Sequence, residues 1–170
     1  MMDDSKQVNL SSAHEHLDNG GNHEQSYDGE GSEWFHYEPS KPPHLLPPIV
    51  LAYIGDAIYE VAIRQYLISK SNLRPNHLHR TATRYVSAKA QAAILAHIEP
   101  LLTEEEREVV RQGRNAKSGS IPKNANVIDY RLATAFECLV GFLYYKKQSG
   151  RLQYLLHQGI ESVEQSENNT

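Results

Sequence analysis

Leu51-Ala-Tyr-Ile-Gly-Asp56-Ala-Ile-Tyr-Glu60 is an apolar stretch with one acid in its interior, and Ala135-Phe-Glu137-Cys-Leu-Val-Gly-Phe-Leu-Tyr-Tyr145 is a second of the same kind. A carboxylate within an apolar helix face is costly to bury unless a partner or a cation offsets its charge. Asp56 and Glu137 are therefore expected to converge on something positive, with a divalent metal the leading candidate. Around the first stretch, Ile49, Tyr53, Ala57, Val61 and Ile63 follow near-helical spacing. Pro47 and Pro48 suit a first helical turn, where a missing N–H does no harm. No segment shows the period-two alternation of a strand, so the chain reads as all-α.

Outward from these two stretches the remaining helices have their own boundaries. The first runs to about Ser69. Pro75 opens a second helical region reaching Ile98, with Ser87 placed to cap a new start inside it and Pro100 to close it. Thr103-Glu-Glu-Glu106 matches a capping box, in which hydroxyl and carboxylate each satisfy a helix-start N–H; that helix stops at Gly113. Residues 114–123 hold Gly, Pro, two Ser and three basic side chains without apolar period, so they read as an exposed loop. Asn126 caps the most apolar helix, about 127–147, and Gly150 separates it from a last amphipathic helix ending near Val163. Five to seven helices are expected, with no internal repeat.

At 170 residues and 39% hydrophobic content, the chain allows one domain with a genuine core. One cysteine, Cys138, excludes an internal disulfide framework, and no secretory signal or membrane-spanning run is evident. A cytoplasmic protein without membrane association is the plain reading. The net charge of −4 conceals a division: residues 1–43 hold nine acidic and two basic side chains, whereas 44–158 hold fifteen basic and nine acidic ones. The first 43 residues carry too little apolar surface to offset the entropy of ordering them. They read as a disordered acidic extension, with 44–164 as the working body and 165–170 as a polar tail.

Two oxygen-rich acids suit Mg²⁺, with Mn²⁺ able to substitute, because both are hard cations that prefer carboxylates and water. Such a metal activates a bound water and neutralises charge on a phosphoryl group, which makes phosphodiester hydrolysis a natural chemistry. Spacing alone leaves a second reading open, in which each acid makes a structural hydrogen bond or pairs with Arg64 or Arg131. Basic residues favour a polyanion: Arg80, Arg84 and Lys89 lie on one helical region, and Arg114, Asn115, Lys117, Ser118 and Lys123 gather around the loop. A solvated basic face is the bland alternative for any one of them. Duplex RNA fits a loop-and-helix reader, since A-form helices are recognised by shape, phosphates and 2′-hydroxyls.

Leu51 to Glu60 resembles the signature helix of ribonuclease III, and Thr134-Ala-Phe-Glu137-Cys-Leu-Val-Gly141 resembles its second acidic helix. Arg74-Pro-Asn-His-Leu-His79, Val86-Ser-Ala-Lys-Ala-Gln91, Gly113-Arg-Asn-Ala-Lys-Ser-Gly119 and Pro122-Lys-Asn124 look specifically like the Mini-ribonuclease III branch. The resemblance covers about residues 45–160. It implies the helical ribonuclease III endonuclease fold, working as a homodimer that cleaves double-stranded RNA with Mg²⁺ to leave 5′-phosphate and 3′-hydroxyl ends. It further implies maturation of 23S ribosomal RNA precursor, with the large ribosomal subunit precursor as a partner. The branch lacks the RNA-binding domain appended to larger relatives, so the catalytic domain must supply its own affinity. Asp56 and Glu137 carry over as catalytic, metal-ligating acids. Larger relatives place further acids where this chain has Ala52 and Thr134, which puts the ligand count in question. Glu60 is open between ligand, salt bridge and dimer contact. The missing acids also favour a rival, a catalytically silent RNA-binding dimer acting in ribosome assembly. An all-α nucleotide pyrophosphohydrolase ranks last, because Glu104 to Glu108 is explained by a helix start.

Overall fold

The computed structural model describes residues 37–70, 74–117 and 126–168. Among them are six α-helices and no strand: α1 (Pro48–Ile68), α2 (Pro75–Val86), α3 (Ala88–Ile98), α4 (Glu104–Arg114), α5 (Val127–Tyr145) and α6 (Ser149–Asn168), with short 3₁₀ turns at Pro43–Leu45 and Glu99–Leu101. The all-α expectation holds.

Local chemistry sets most boundaries. Pro48 occupies the first turn of α1. Ser87 adopts extended backbone and its hydroxyl accepts from Ala90 N at 3.3 Å, so one helical region becomes two helices with one shared cap residue. Thr103 and Glu106 form the expected reciprocal capping box. Asn126 Oδ1 accepts from Ile128 N and Asp129 N at the start of α5. The end of α5 was less legible. Lys147 takes φ 57°, Gln148 N donates to Leu143 O at 3.0 Å and Lys147 N to Tyr144 O at 3.0 Å, a left-handed stop made with lysine where glycine is usual. Gly150 therefore lies inside the first turn of α6 and does not separate the helices, and α6 continues past Val163 to Asn168.

Helix α5 is the axis of the core. Its buried residues include Ala135, Phe136, Cys138, Leu139, Val140, Phe142 and Leu143, and it packs against α1, α3, α4 and α6. Tyr59 of α1 is buried beside it, with its ring edge-on to Phe136 at 4.9 Å and its hydroxyl donating to Tyr85 O at 3.2 Å. That bond satisfies a polar atom which burial would otherwise leave costly. On the far side, Arg151 of α6 donates to both oxygens of the buried Glu106 at 2.8 and 2.7 Å, and to Leu101 O at 2.7 Å. Glu106 is thus both cap and anchor.

The expected acidic extension falls mostly outside the described residues. Where it is described, Tyr37 is 86% exposed and does not dock on the body, while Glu38 pairs with Lys147 at 2.6 Å.

Candidate active site

Helices α1 and α5 touch backbone to backbone. A Cβ on Gly55 would lie 1.8 Å from the Glu137 carbonyl oxygen, and one on Gly141 would lie 2.0 Å from that of Leu51. Neither position tolerates a side chain. The crossing this allows brings Asp56, one residue after Gly55, and Glu137 to one cleft of about 720 Å³, also lined by Ala52, Tyr53, Gln91, Tyr130 and Thr134.

Electrostatics in the cleft match a site that awaits positive charge. Burial pushes the Glu137 carboxyl up to about 7, the nearby Asp56 charge adds to this, and a hydrogen bond from Gln91 opposes it. Asp56 is the more exposed acid, and it too is raised, by its partial burial and then by the charge of Glu60. Among the described residues neither acid forms a salt bridge, which removes the reading that paired them with Arg64 or Arg131. Arg64 instead bonds Glu60, which lies outside the cleft lining and is committed to that i,i+4 pair.

The residues fit a hard divalent cation. Two carboxylates are held together against their own repulsion, and Gln91, 1% exposed and in the same cleft lining, leaves its side-chain carbonyl oxygen without a hydrogen-bond partner. Among the described residues no group of three or more His, Cys, Asp or Glu could hold a metal, so the acids alone supply only two side chains. Thr134 supplies a neutral hydroxyl in place of a carboxylate, and that hydroxyl donates its proton to Tyr130 O at 3.1 Å.

Sequence reasoning passed over Gln91 as a site residue. The available signal was its register: with Ile94, Leu95 and Ile98 it lies on the buried stripe of α3, where an amide has no place without a polar neighbour.

The candidate RNA-binding residues are brought to the surface but not into the cleft. Arg80, Arg84, Lys89, Arg114, Asn115 and Lys117 are not buried, and none lines the acid site. Arg80 shares a shallow concavity with Arg74, Asn76 and His77 at the start of α2. Asn115 ends α4 as its C-cap. Ser118 and Lys123 lie outside the described residues. Tyr53 is 84% exposed at the cleft. Cys138 is buried, which pushes its thiol up to about 12 and suits a small hydrophobe.

Comparison with known proteins agrees with this geometry. The ribonuclease III domain family matches residues 49–148. A Mini-ribonuclease 3 of Brevibacillus brevis is 51% identical over 127 residues, covering 75% of this chain and 95% of that protein. One from Symbiobacterium thermophilum is 49% identical over 125 residues, covering 74% and 96%. The crystal structure of a Fusobacterium nucleatum protein superposes with a TM-score of 0.64 at 29% identity, covering 72% of this chain and 98% of that one. With these matches, and with Asp56 and Glu137 lining one cleft at the α1–α5 crossing, the chain belongs to the ribonuclease III family, on its Mini-ribonuclease III branch, and is an endoribonuclease.

Proposed function

We infer that this endoribonuclease cleaves double-stranded RNA with Mg²⁺, Mn²⁺ serving in its place, and that its substrate is the 23S ribosomal RNA precursor. The observation that carries the reading is the acid pair: Asp56 and Glu137 share one cleft, both pKa values raised, with no cationic side chain among the described lining residues to neutralise them. Asp56 and Glu137 would hold a divalent cation, which when bound would supply a more acidic water and charge neutralisation at a phosphoryl group. The bases Arg80, Arg84, Lys89, Arg114 and Lys117, together with Asn115, Ser118 and Lys123, bind phosphates on either side and orient the duplex for in-line attack.

A homodimer belongs to the same reading. Ile49, Val50 and Tyr53 on α1, with Val127 and Ile128 at the start of α5, are large apolar side chains left exposed near the α1–α5 cleft. A second copy covering them would set two acid sites along one duplex. The division into an acidic extension over 1–43, a catalytic domain over 44–164 and a polar tail over 165–170 also belongs here, as do a cytoplasmic location and the large ribosomal subunit precursor as partner. No helix among the described residues is long and apolar enough to cross a membrane.

Asp56→Asn is expected to keep the fold and RNA binding and to abolish cleavage of a perfect RNA duplex in Mg²⁺. A fully active variant would remove the role given to Asp56. The silent RNA-binding dimer, favoured by Ala52 and Thr134, predicts that the unaltered protein binds the duplex and leaves it intact with or without Mg²⁺.

A further inference from the structure

Gln91 joins the site to the α2–α3 junction. Its amide Nε2 donates to Val86 O at 3.3 Å, and the side chain lies near enough to Glu137 to favour that residue's charged form. A backbone carbonyl can only accept, so the amide nitrogen faces Val86 O. The Gln91 side-chain carbonyl oxygen is buried and has no partner. A buried acceptor left without a partner is costly, and native structures rarely leave one without a use.

Ala52 and Thr134, in the same lining, offer no carboxylate. The first has no oxygen in its side chain, and the Thr134 hydroxyl is turned back on its own helix. Amide carbonyls are hard, neutral donors of the kind magnesium and manganese accept beside carboxylates. We propose that the Gln91 side-chain carbonyl is the third protein oxygen of the cation site, supplying from α3 what this chain lacks at Ala52 and Thr134. The proposal rests on the reading of Asp56 and Glu137 as a cation site. The donor comes from a third helix, so loading the cation ties α1, α3 and α5 together at one point.

Binding of Mn²⁺ alone, followed by loss of the free-ion electron paramagnetic resonance signal, tests this without any turnover. Gln91→Met keeps the volume and removes both polar atoms; Gln91→Glu keeps an oxygen donor and removes the N–H. Affinity should fall about 10- to 100-fold in Gln91→Met, and Gln91→Glu should bind at least as tightly as the unaltered protein. Unchanged affinity in Gln91→Met overturns the proposal. So does equal weakening in both variants, which would make Gln91 only an N–H clamp on Glu137. In the unaltered protein, labelled with ¹³C at the glutamine side-chain carbonyl, saturating Mg²⁺ should shift the Gln91 resonance; an unmoved resonance also overturns it, and needs no variant to fold. Asp56→Asn serves as the separate arm: if it binds Mn²⁺ like the unaltered protein, the acid-pair reading itself falls, whatever Gln91 does.

Discussion

Gly55 presses its α-carbon against the backbone carbonyl of Glu137, leaving no space for even a methyl group. Structure and chemistry meet there, since the residues that let the two helices touch are neighbours of the residues that carry the acids. Gly55→Ala places a carbon 1.8 Å from a backbone oxygen and must push the helices apart. Overpacking of this kind costs about 1–3 kcal/mol or more. Urea unfolding should show that loss, and Mn²⁺ affinity should fall with it because the acids separate. Native stability in the variant would mean that the crossing is looser than described.

Stability in the absence of divalent metal should depend on pH through Glu137. Its folded value of about 7 lies above its ordinary 4.5, so between these limits the native state holds a proton that the unfolded chain has released. Stability therefore falls as pH rises through that window, by up to about 3 kcal/mol, and levels off above it. Denaturation in EDTA at several pH values should trace the decline, Mg²⁺ should reduce it, and Glu137→Gln should flatten it. An identical slope in Glu137→Gln would assign the effect to other groups.

Glu106 behaves in the opposite sense. The Arg151 bond holds its carboxyl below the ordinary range despite burial, with Thr103 assisting. Its contribution is present above the unfolded value of 4.5 and is lost as pH falls through the lower folded one. Removing the partner leaves a buried charge behind. Arg151→Met should cost about 2–4 kcal/mol at neutral pH, less than a fully buried pair because the guanidinium is partly exposed. Thermal unfolding checks the value, and a variant as stable as the original would show that the pair is dispensable.

RNA affinity should separate from cleavage at the basic surface. Arg80→Ala and Lys89→Ala each remove a charge that is not among the residues lining the acid cleft. For every phosphate that is no longer neutralised, the log–log salt slope of duplex binding should drop by about 1, and all sequences should weaken alike. Mn²⁺ affinity should stay as it was. A variant with unaltered slope would assign that residue to the solvated face.

Much of the fold was readable because its signals are local. Prolines at first turns, the Thr103–Glu106 box, the Ser87 and Asn126 caps and the apolar stripes of α1 and α5 act within a few residues of themselves. The end of α5 escaped because Lys147 adopts a conformation that its residue type does not advertise, and the extent of α6 because a polar helix end is indistinguishable from a tail by pattern. Of the candidate site, the acids were legible as charges misplaced in apolar faces, and their convergence was expected from that; that Gln91 shares their cleft was not.

Composition and periodicity alone determined the helical class, the basic body and the identity of the two acids, since each depends on near neighbours in the chain. The tertiary structure decided which groups share a cavity: two glycines let α1 and α5 touch, and the packing of α3 on α5 puts Gln91 in the lining of the acid cleft. Such meetings depend on backbone approach between distant segments, and whether a buried amide oxygen finds a partner is settled only once those segments have packed.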